Sequence, residues 1–149
     1  MKFLKALIIT SFTMLAFALH AQVGISTTNP LSALDINGNL SIKTIGISTP
    51  FLGGPTNSAT PIIDGIYISM TPIVNSVEFI LPNAVAVPGR MYILRNISDT
   101  EIARIYTFGG MLFAKDSKTA TTPYLSMPPN ALLKTVIVIS DGLNWTYIF

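Results

Sequence analysis

The side chains that most often carry out chemistry are scarce in this chain. It has no cysteine, and its one histidine, His20, lies in an apolar stretch near the amino terminus. Beyond that stretch, Ser-His-Asp and Cys-His catalysis lack their base or nucleophile, and the usual zinc and copper sites lack their ligands. The sequence therefore gives no support to these enzyme classes.

Seven carboxylates remain as candidates for chemistry. Asp99 and Glu101 lie two residues apart at a predicted turn, but one pair supplies too few of the roughly six to eight oxygens that Ca²⁺ takes. A glycoside-hydrolysis pair could be drawn from scattered acids, namely Asp64, Glu78, Asp116 and Asp141, yet two of these precede a glycine, where turn geometry explains them. We therefore predict no enzyme activity, no metal site and no cofactor.

Aromatic side chains are the stronger candidates for contact with a partner. Their flat faces can stack on a sugar ring, and the set comprises Tyr92, Tyr106, Tyr124, Trp145 and Tyr147. In a β-rich chain with few charges, the same residue types are more often core or subunit-interface residues. We single out Tyr124, Trp145 and Tyr147 as interface aromatics, with glycan contact as the alternative.

The first 21 residues are typical of a secretory signal peptide. Two lysines precede an apolar run, which ends in small residues, and cleavage falls between Ala18 and Ala21. The run is shorter than the roughly 20 residues that span a bilayer, and no cysteine is present to carry a lipid. We predict export to the periplasm, the cell surface or the medium, with no membrane span after cleavage.

Removal of the signal peptide changes the charge of the chain. Taking 21 residues from 149 leaves 128, the length of one domain. Two of the nine basic residues, Lys2 and Lys5, leave with the signal peptide, so seven basic residues balance seven acidic ones. A neutral chain gives no argument for nucleic acid as a partner. Its few charges favour a surface rich in Ser, Thr and Asn or one buried in an oligomer.

The rest of the sequence predicts an all-β fold. Short stretches rich in Ile, Val, Tyr and Phe alternate with prolines and glycines, and no sustained helical period is present. Val136–Ile139 is apolar at every position, which predicts a strand buried on both faces. The predicted strands after residue 61 cover residues 65–70, 76–81, 91–96, 102–108, 111–114, 132–139 and 144–149.

Three regions follow the signal peptide. In residues 22–43, Asn37-Gly38 separates two alternating triplets and supplies the two positive-φ positions of a type I′ turn, so a β-hairpin module is predicted. Residues 44–61 hold three prolines and three glycines and are predicted to be a linker or an ordered loop. Residues 62–149 form the β-domain, with Asp141-Gly142 as the turn of its closing hairpin.

Two stretches resemble fibre proteins. VGISTTNPLSALDINGNLSIK resembles the Val-Gly-Ile-Gly-Thr-x-x-Pro … Leu-Asp-Val-x-Gly motif of bacterial surface proteins and phage tail-fibre-like proteins. Ser26 replaces the second glycine, which is tolerable if that position is not at positive φ. Residues 79–148 are similar to fibre-type β-domains in their Leu-Pro segment, Pro-Gly turn and closing Ser-Asp-Gly-x-Asn-Trp hairpin. The resemblance implies a trimeric assembly.

Together these features predict an N-terminal β-hairpin followed by an antiparallel β-sandwich or a trimeric fibre-type β-domain. The predicted protein is secreted, non-enzymatic and structural or adhesive, and it forms homotrimers at a surface. Its predicted partners are other copies of itself and a surface glycan or another surface protein. The alternatives are a monomeric β-sandwich carbohydrate-binding module and a small outer-membrane β-barrel, which the short predicted strands disfavour.

Overall fold

The computed structural model describes residues 3, 5, 23–26 and 34–149. The chain divides into two compact units, Met1–Ser41 and Ile42–Phe149. Apart from Phe3 and Lys5, the predicted signal peptide lies outside the described residues. In the part of the chain that is described, no helix combines the length and apolar character needed to cross a membrane.

The first unit contains a parallel strand pair. Strand β1 (Val23–Ile25) runs beside β2 (Leu34–Ile36), and the Asn37 backbone N–H extends the pairing with a 3.0 Å hydrogen bond to the Ile25 carbonyl oxygen. Residues 38–43 form no strand, so the predicted hairpin through Asn37-Gly38 is wrong. A short two-stranded hairpin is only marginally stable, and β2 instead takes a partner from earlier in the chain.

Ser26 also departs from expectation. Its φ is 57°, in the left-handed region that favours glycine. The serine that replaces the motif's second glycine therefore adopts a backbone conformation that glycine would adopt more readily.

The second unit consists of two mixed sheets. The eight-stranded sheet has the order β11-β10-β14-β13-β8-β6-β3, with β4 also paired to β6, and the four-stranded sheet has the order β12-β9-β7-β5. Short 3₁₀ helices lie at Ala84–Ala86 and Leu132–Lys134. The strands are β3 (Thr44–Ile45), β4 (Phe51–Leu52), β5 (Thr60–Pro61), β6 (Tyr67–Thr71), β7 (Glu78–Asn83), β8 (Met91–Asn96), β9 (Ala103–Gly109), β10 (Leu112–Ala114), β11 (Ala120–Thr121), β12 (Leu125–Met127), β13 (Thr135–Ser140) and β14 (Trp145–Ile148).

The predicted antiparallel β-sandwich or fibre-type β-domain is not confirmed, because both sheets are mixed. From β5 to β10 successive strands alternate between the two sheets, so neighbours within one sheet run parallel. Tyr67 pairs with Ile93 and Glu78 pairs with Arg104, each 26 residues further along the chain. Among the strands of the second unit, the antiparallel pairs are β8–β13, β13–β14, β9–β12 and β10–β11. The turns around Pro72 and Pro88-Gly89 carry the chain across to the other sheet. A local turn signal predicts the bend but does not specify which sheet the next strand joins.

Both sheets contribute to one hydrophobic core. Alternation along the strands turns Phe79 and Leu81 of β7 and Val136 and Val138 of β13 inward, and all four are buried. Ile137 and Ile139 are only half-buried, so β13 is fully buried on one face rather than on two. Within residues 44–61, β3 and β4 pair with β6 of the eight-stranded sheet, and β5 pairs with β7 of the four-stranded sheet. This segment is therefore an ordered part of the second unit rather than a free linker.

Candidate binding cleft

Two of the three predicted contact aromatics lie inside the chain's own core. Trp145 is 0 % exposed and Tyr147 is 7 % exposed. The Tyr147 hydroxyl lies 2.9 Å from Thr121 Oγ1. The prediction that Trp145 and Tyr147 contact a neighbouring chain or a glycan is therefore wrong, because the alternation of β14 turns both side chains into the core. Tyr124, in contrast, is partly exposed.

The predicted closing turn links β13 to β14. Asp141 Oδ1 accepts hydrogen bonds from the backbone N–H groups of Leu143 at 2.7 Å and Asn144 at 2.6 Å, and Gly142 has a φ of 90°. The backbone N–H donors, that of Asn144 first, hold the pKa of the exposed Asp141 carboxyl below its usual value. Asp141 and Gly142 thus stabilise the turn.

Of the acidic pair Asp99 and Glu101, Asp99 forms an ion pair with Lys134. Asp99 is well exposed, and its Oδ1 accepts a 3.0 Å hydrogen bond from Lys134 Nζ. Among the described residues, no group of three or more His, Cys, Asp or Glu side chains is arranged to hold a metal ion.

The outer face of the four-stranded sheet brings together polar residues from distant parts of the chain. Because Phe79 and Leu81 face the core, Glu78 and Ile80 of β7 face outward. Cross-strand register places Arg104 of β9 opposite Glu78, and Tyr106 opposite Ile80. This face therefore changes from charged and polar at Glu78 to apolar near Phe108.

Glu78 is the most constrained charged group on this face. It is only 4 % exposed, its Oε1 accepts a 3.1 Å hydrogen bond from the Tyr106 hydroxyl, and its Oε2 accepts one of 3.1 Å from the Asn57 backbone N–H. Arg104 lies at 4.0 Å from the same Oε1. A buried carboxylate needs such partners, because an unpaired one would carry a large desolvation cost.

The loop before β5 folds over Glu78. Gly54 exchanges two backbone hydrogen bonds with Glu78, at 2.7 and 3.0 Å. A Cβ at Gly54 would lie 1.8 Å from the Ser58 carbonyl oxygen, so this position requires glycine. Asn57 has a φ of 68°, and its N–H donates to the carboxylate. Thr56, Asn57 and Ala59 of this segment, which was predicted to be a linker or an ordered loop, thus form one wall of the site.

A second group of side chains packs beside Glu78. The Tyr106 and Tyr124 ring centroids are 5.2 Å apart, and the Arg104 guanidinium lies 5.2 Å from the Tyr124 ring centroid. Burial, and then the hydrogen bond to Glu78, raise the pKa of the Tyr106 hydroxyl above its usual value. Tyr106 therefore stays a neutral donor to the carboxylate.

Glu78 and Tyr106 line an open cleft of about 300 Å³. A neighbouring groove of about 260 Å³ is apolar, and Ile80 lines both spaces. The cleft is lined by Thr56, Asn57, Ala59, Glu78, Ile80, Tyr106 and Thr107. The groove is lined by Pro61, Ile62, Ile63, Ile80, Leu81, Pro82, Asn83 and Phe108.

The sequence does not show that these residues come together. In the sequence, Glu78 is one of several scattered acids, Tyr106 and Tyr124 are two of several aromatics, and Asn57 lies in the predicted linker or ordered loop. The available signal was a single acid, Glu78, at the start of an otherwise apolar strand. Such an acid is expected either at a strand end or beneath a covering segment.

No known protein family, curated protein or solved structure matches this chain. What is established is its class, a mostly β protein whose second unit holds mixed sheets of eight and four strands. The resemblance to bacterial surface and tail-fibre-like proteins stays a prediction, and the cleft is the feature on which a functional proposal can rest.

Proposed function

We propose that this chain is a secreted, non-enzymatic surface protein that acts in attachment, with the Glu78–Tyr106 cleft as its binding site. The supporting observation is the buried Glu78 carboxylate beside an open cleft. Its oxygens are held in place by Tyr106 and Asn57 before any ligand arrives. Fixed polar groups next to apolar walls are the usual composition of small-ligand sites.

Binding is favoured over catalysis by the residue types available. Beyond residue 21 the sequence contains no histidine or cysteine to act as base or nucleophile. Glu78 accepts two hydrogen bonds and lies near Arg104, which suits the role of a fixed hydrogen-bond acceptor.

The proposal can be tested by filling the cleft. The exported protein, purified after signal cleavage and fluorescently labelled, would be applied to an array of surface glycans and proteins. We expect Ala59→Trp, which fills the cleft, to abolish binding. The control is Ala86→Trp, an exposed alanine away from the cleft, which should bind normally. Equal binding by both variants would show that the cleft is not the site.

A homotrimeric assembly is the second candidate, and the apolar groove favours it. Phe108 is 78 % exposed and Ile63 is 74 % exposed, and both line the groove. Exposed apolar side chains that cluster on one face are typical of protein interfaces. In this arrangement the groove of one copy packs against another copy, which would also account for the few charges on the chain.

Light scattering on a sizing column across a dilution series tests the assembly. The homotrimer would be supported if the parent protein is a trimer and Phe108→Ser dissociates it. The control is Leu132→Ser, since Leu132 is 89 % exposed and is absent from the groove lining. A monomer at every concentration would contradict the trimer and leave the binding module.

A further inference from the structure

We infer that the cleft takes an uncharged, hydroxyl-rich ring, such as the terminal sugar of a neutral glycan. This inference rests on the proposed binding function and names its ligand class. The charge, the hydrogen-bonding groups and the size of the cleft all favour such a ring.

The charge of the cleft disfavours anions. Glu78 contributes a carboxylate, and no Lys or Arg is among the residues that line this space. Arg104 is held next to the carboxylate, at 4.0 Å, and over the Tyr124 ring. An incoming carboxylate, sulfate or phosphate would therefore face a like charge without an opposing cation of its own.

The hydrogen-bonding groups fit hydroxyls. Each Glu78 oxygen accepts one hydrogen bond from the protein, and a carboxylate oxygen has room for a second. Thr56 and Asn57 add polar side chains at the rim. Sugar hydroxyls donate and accept, so one ring can use the carboxylate and these neutral groups together.

The apolar part of the lining fits the other face of a sugar ring. Ile80 and Tyr106 are cross-strand partners on the outer face, and both line the cleft together with Ala59. A pyranose presents C–H groups on its face and hydroxyls at its edge, so it matches an apolar wall beside a polar one. A simple ammonium group would meet the charge of Glu78 but leave this wall unused.

The size of the space sets the length of the ligand. A volume of about 300 Å³ is at the lower end of the roughly 300–1,000 Å³ found for small-molecule sites. A single ring fits within this space, and a longer glycan would extend outward from that ring. Recognition is therefore expected to centre on a single terminal sugar.

The test compares neutral with charged glycans. The exported protein, Glu78→Gln and the matched control Glu101→Gln would be titrated by calorimetry with neutral, sialylated, sulfated and amino-sugar oligosaccharides. We expect binding of neutral glycans, weakened about tenfold in Glu78→Gln because a charge-assisted hydrogen bond becomes a neutral one. Glu101, which is not among the lining residues, provides the unchanged control.

Each other outcome bears on a different claim. Preferred binding of sialylated or sulfated glycans, strengthened in Glu78→Gln, would overturn the ligand class and leave the attachment function standing. Preferred binding of the amino-sugar oligosaccharides would also overturn the ligand class and leave the attachment function standing. If the protein binds a surface protein but no glycan, the proposed sugar ligand is wrong and attachment still holds. If the protein binds no glycan and no surface protein, both proposals fail. Should Glu78→Gln not fold, Thr56→Val at the exposed rim is expected to weaken neutral-glycan binding, and unchanged affinity would count against the inference.

Discussion

The indole Nε1 of Trp145 donates a hydrogen bond of 3.2 Å to the carbonyl oxygen of Pro82. Trp145 belongs to the eight-stranded sheet and Pro82 to the four-stranded sheet, so this bond joins the two sheets within one chain. The Tyr92 ring lies beside the indole, with 5.9 Å between the ring centroids. The largest aromatic side chain is thus buried without help from a second copy.

Trp145→Ala is expected to destabilise the fold strongly. Removal of a fully buried Trp leaves a cavity and deletes the hydrogen bond to Pro82, and large-to-small aromatic substitutions cost about 3–5 kcal/mol. Urea unfolding followed by circular dichroism would measure the loss in free energy of unfolding. The nearby exposed Leu143→Ala should change it by no more than about 0.5 kcal/mol. A similar small effect for both would mean that Trp145 is not a core residue.

Asn96 makes a second link between the sheets, and Asn96→Asp is expected to break it. Its Nδ2 donates to the carbonyl oxygens of Met127 at 2.8 Å and Glu101 at 2.9 Å, and its Oδ1 accepts from the Ser98 N–H at 2.9 Å. A carboxylate there would face two carbonyl oxygens in a buried site, so we expect a loss of about 3 kcal/mol or more.

A matched substitution provides the comparison for Asn96. Asn83 uses its Oδ1 as an acceptor for the Val85 N–H at the start of the 3₁₀ helix, and an aspartate keeps that acceptor. Thermal unfolding should therefore show Asn83→Asp near the parent protein and Asn96→Asp well below it. Equal melting temperatures would mean that the Asn96 amide protons are not needed.

The wall of the cleft depends on the backbone of Asn57. Its φ of 68° suits glycine or asparagine and strains alanine. We expect Asn57→Ala to be about 1 kcal/mol less stable than Asn57→Gly, since both lose the same side chain and only glycine adopts this conformation freely. Chemical denaturation of the two variants side by side measures the difference. Equal stability would show that the loop does not need the left-handed conformation.

Asp141 predicts how stability changes in acid. Its pKa is lower in the folded protein than in the unfolded chain, chiefly because the Asn144 and Leu143 N–H groups bind the ionised form. The stabilisation is therefore present above the ordinary pKa of 3.8 and is lost as the pH falls through the folded value.

Asp141→Asn isolates this contribution, since asparagine keeps an acceptor oxygen but does not titrate. We expect the parent protein to be more stable than the variant at neutral pH, with the gap closing below pH 3.8. Urea unfolding at several pH values measures the gap. A gap that stays constant across the range would contradict the role of the ionised carboxylate.

Local features of the chain were predictable from the sequence. The strand predicted at residues 91–96 coincides with β8 (Met91–Asn96), and most later strands fall within two or three residues of their predicted bounds. Alternation of apolar residues and the preference of β-branched and aromatic side chains for strands act over neighbouring residues. The sequence alone therefore determined that this is a mostly β protein.

The pairing of those strands was decided only by the tertiary structure. Asn37-Gly38 carries a strong hairpin signal, yet β2 pairs in parallel with β1. In the second unit, Glu78 meets Arg104 because the chain passes through the other sheet between β7 and β9. A turn residue sets the local bend of the backbone, whereas the choice of partner strand depends on burial summed over the whole core.

The cleft, like the pairing of the strands, was decided only by the tertiary structure. Glu78, Tyr106 and Asn57 are far apart in sequence, and each has an ordinary local explanation as a strand or loop residue. They come together because the parallel register of β7 and β9 and the loop over Glu78 place them on one outer face. The sequence alone determined the residue types and the strands that carry them. Only the packed sheets decided that one carboxylate is buried beside an open cleft and that Trp145 is enclosed, because both depend on contacts between residues distant in the chain.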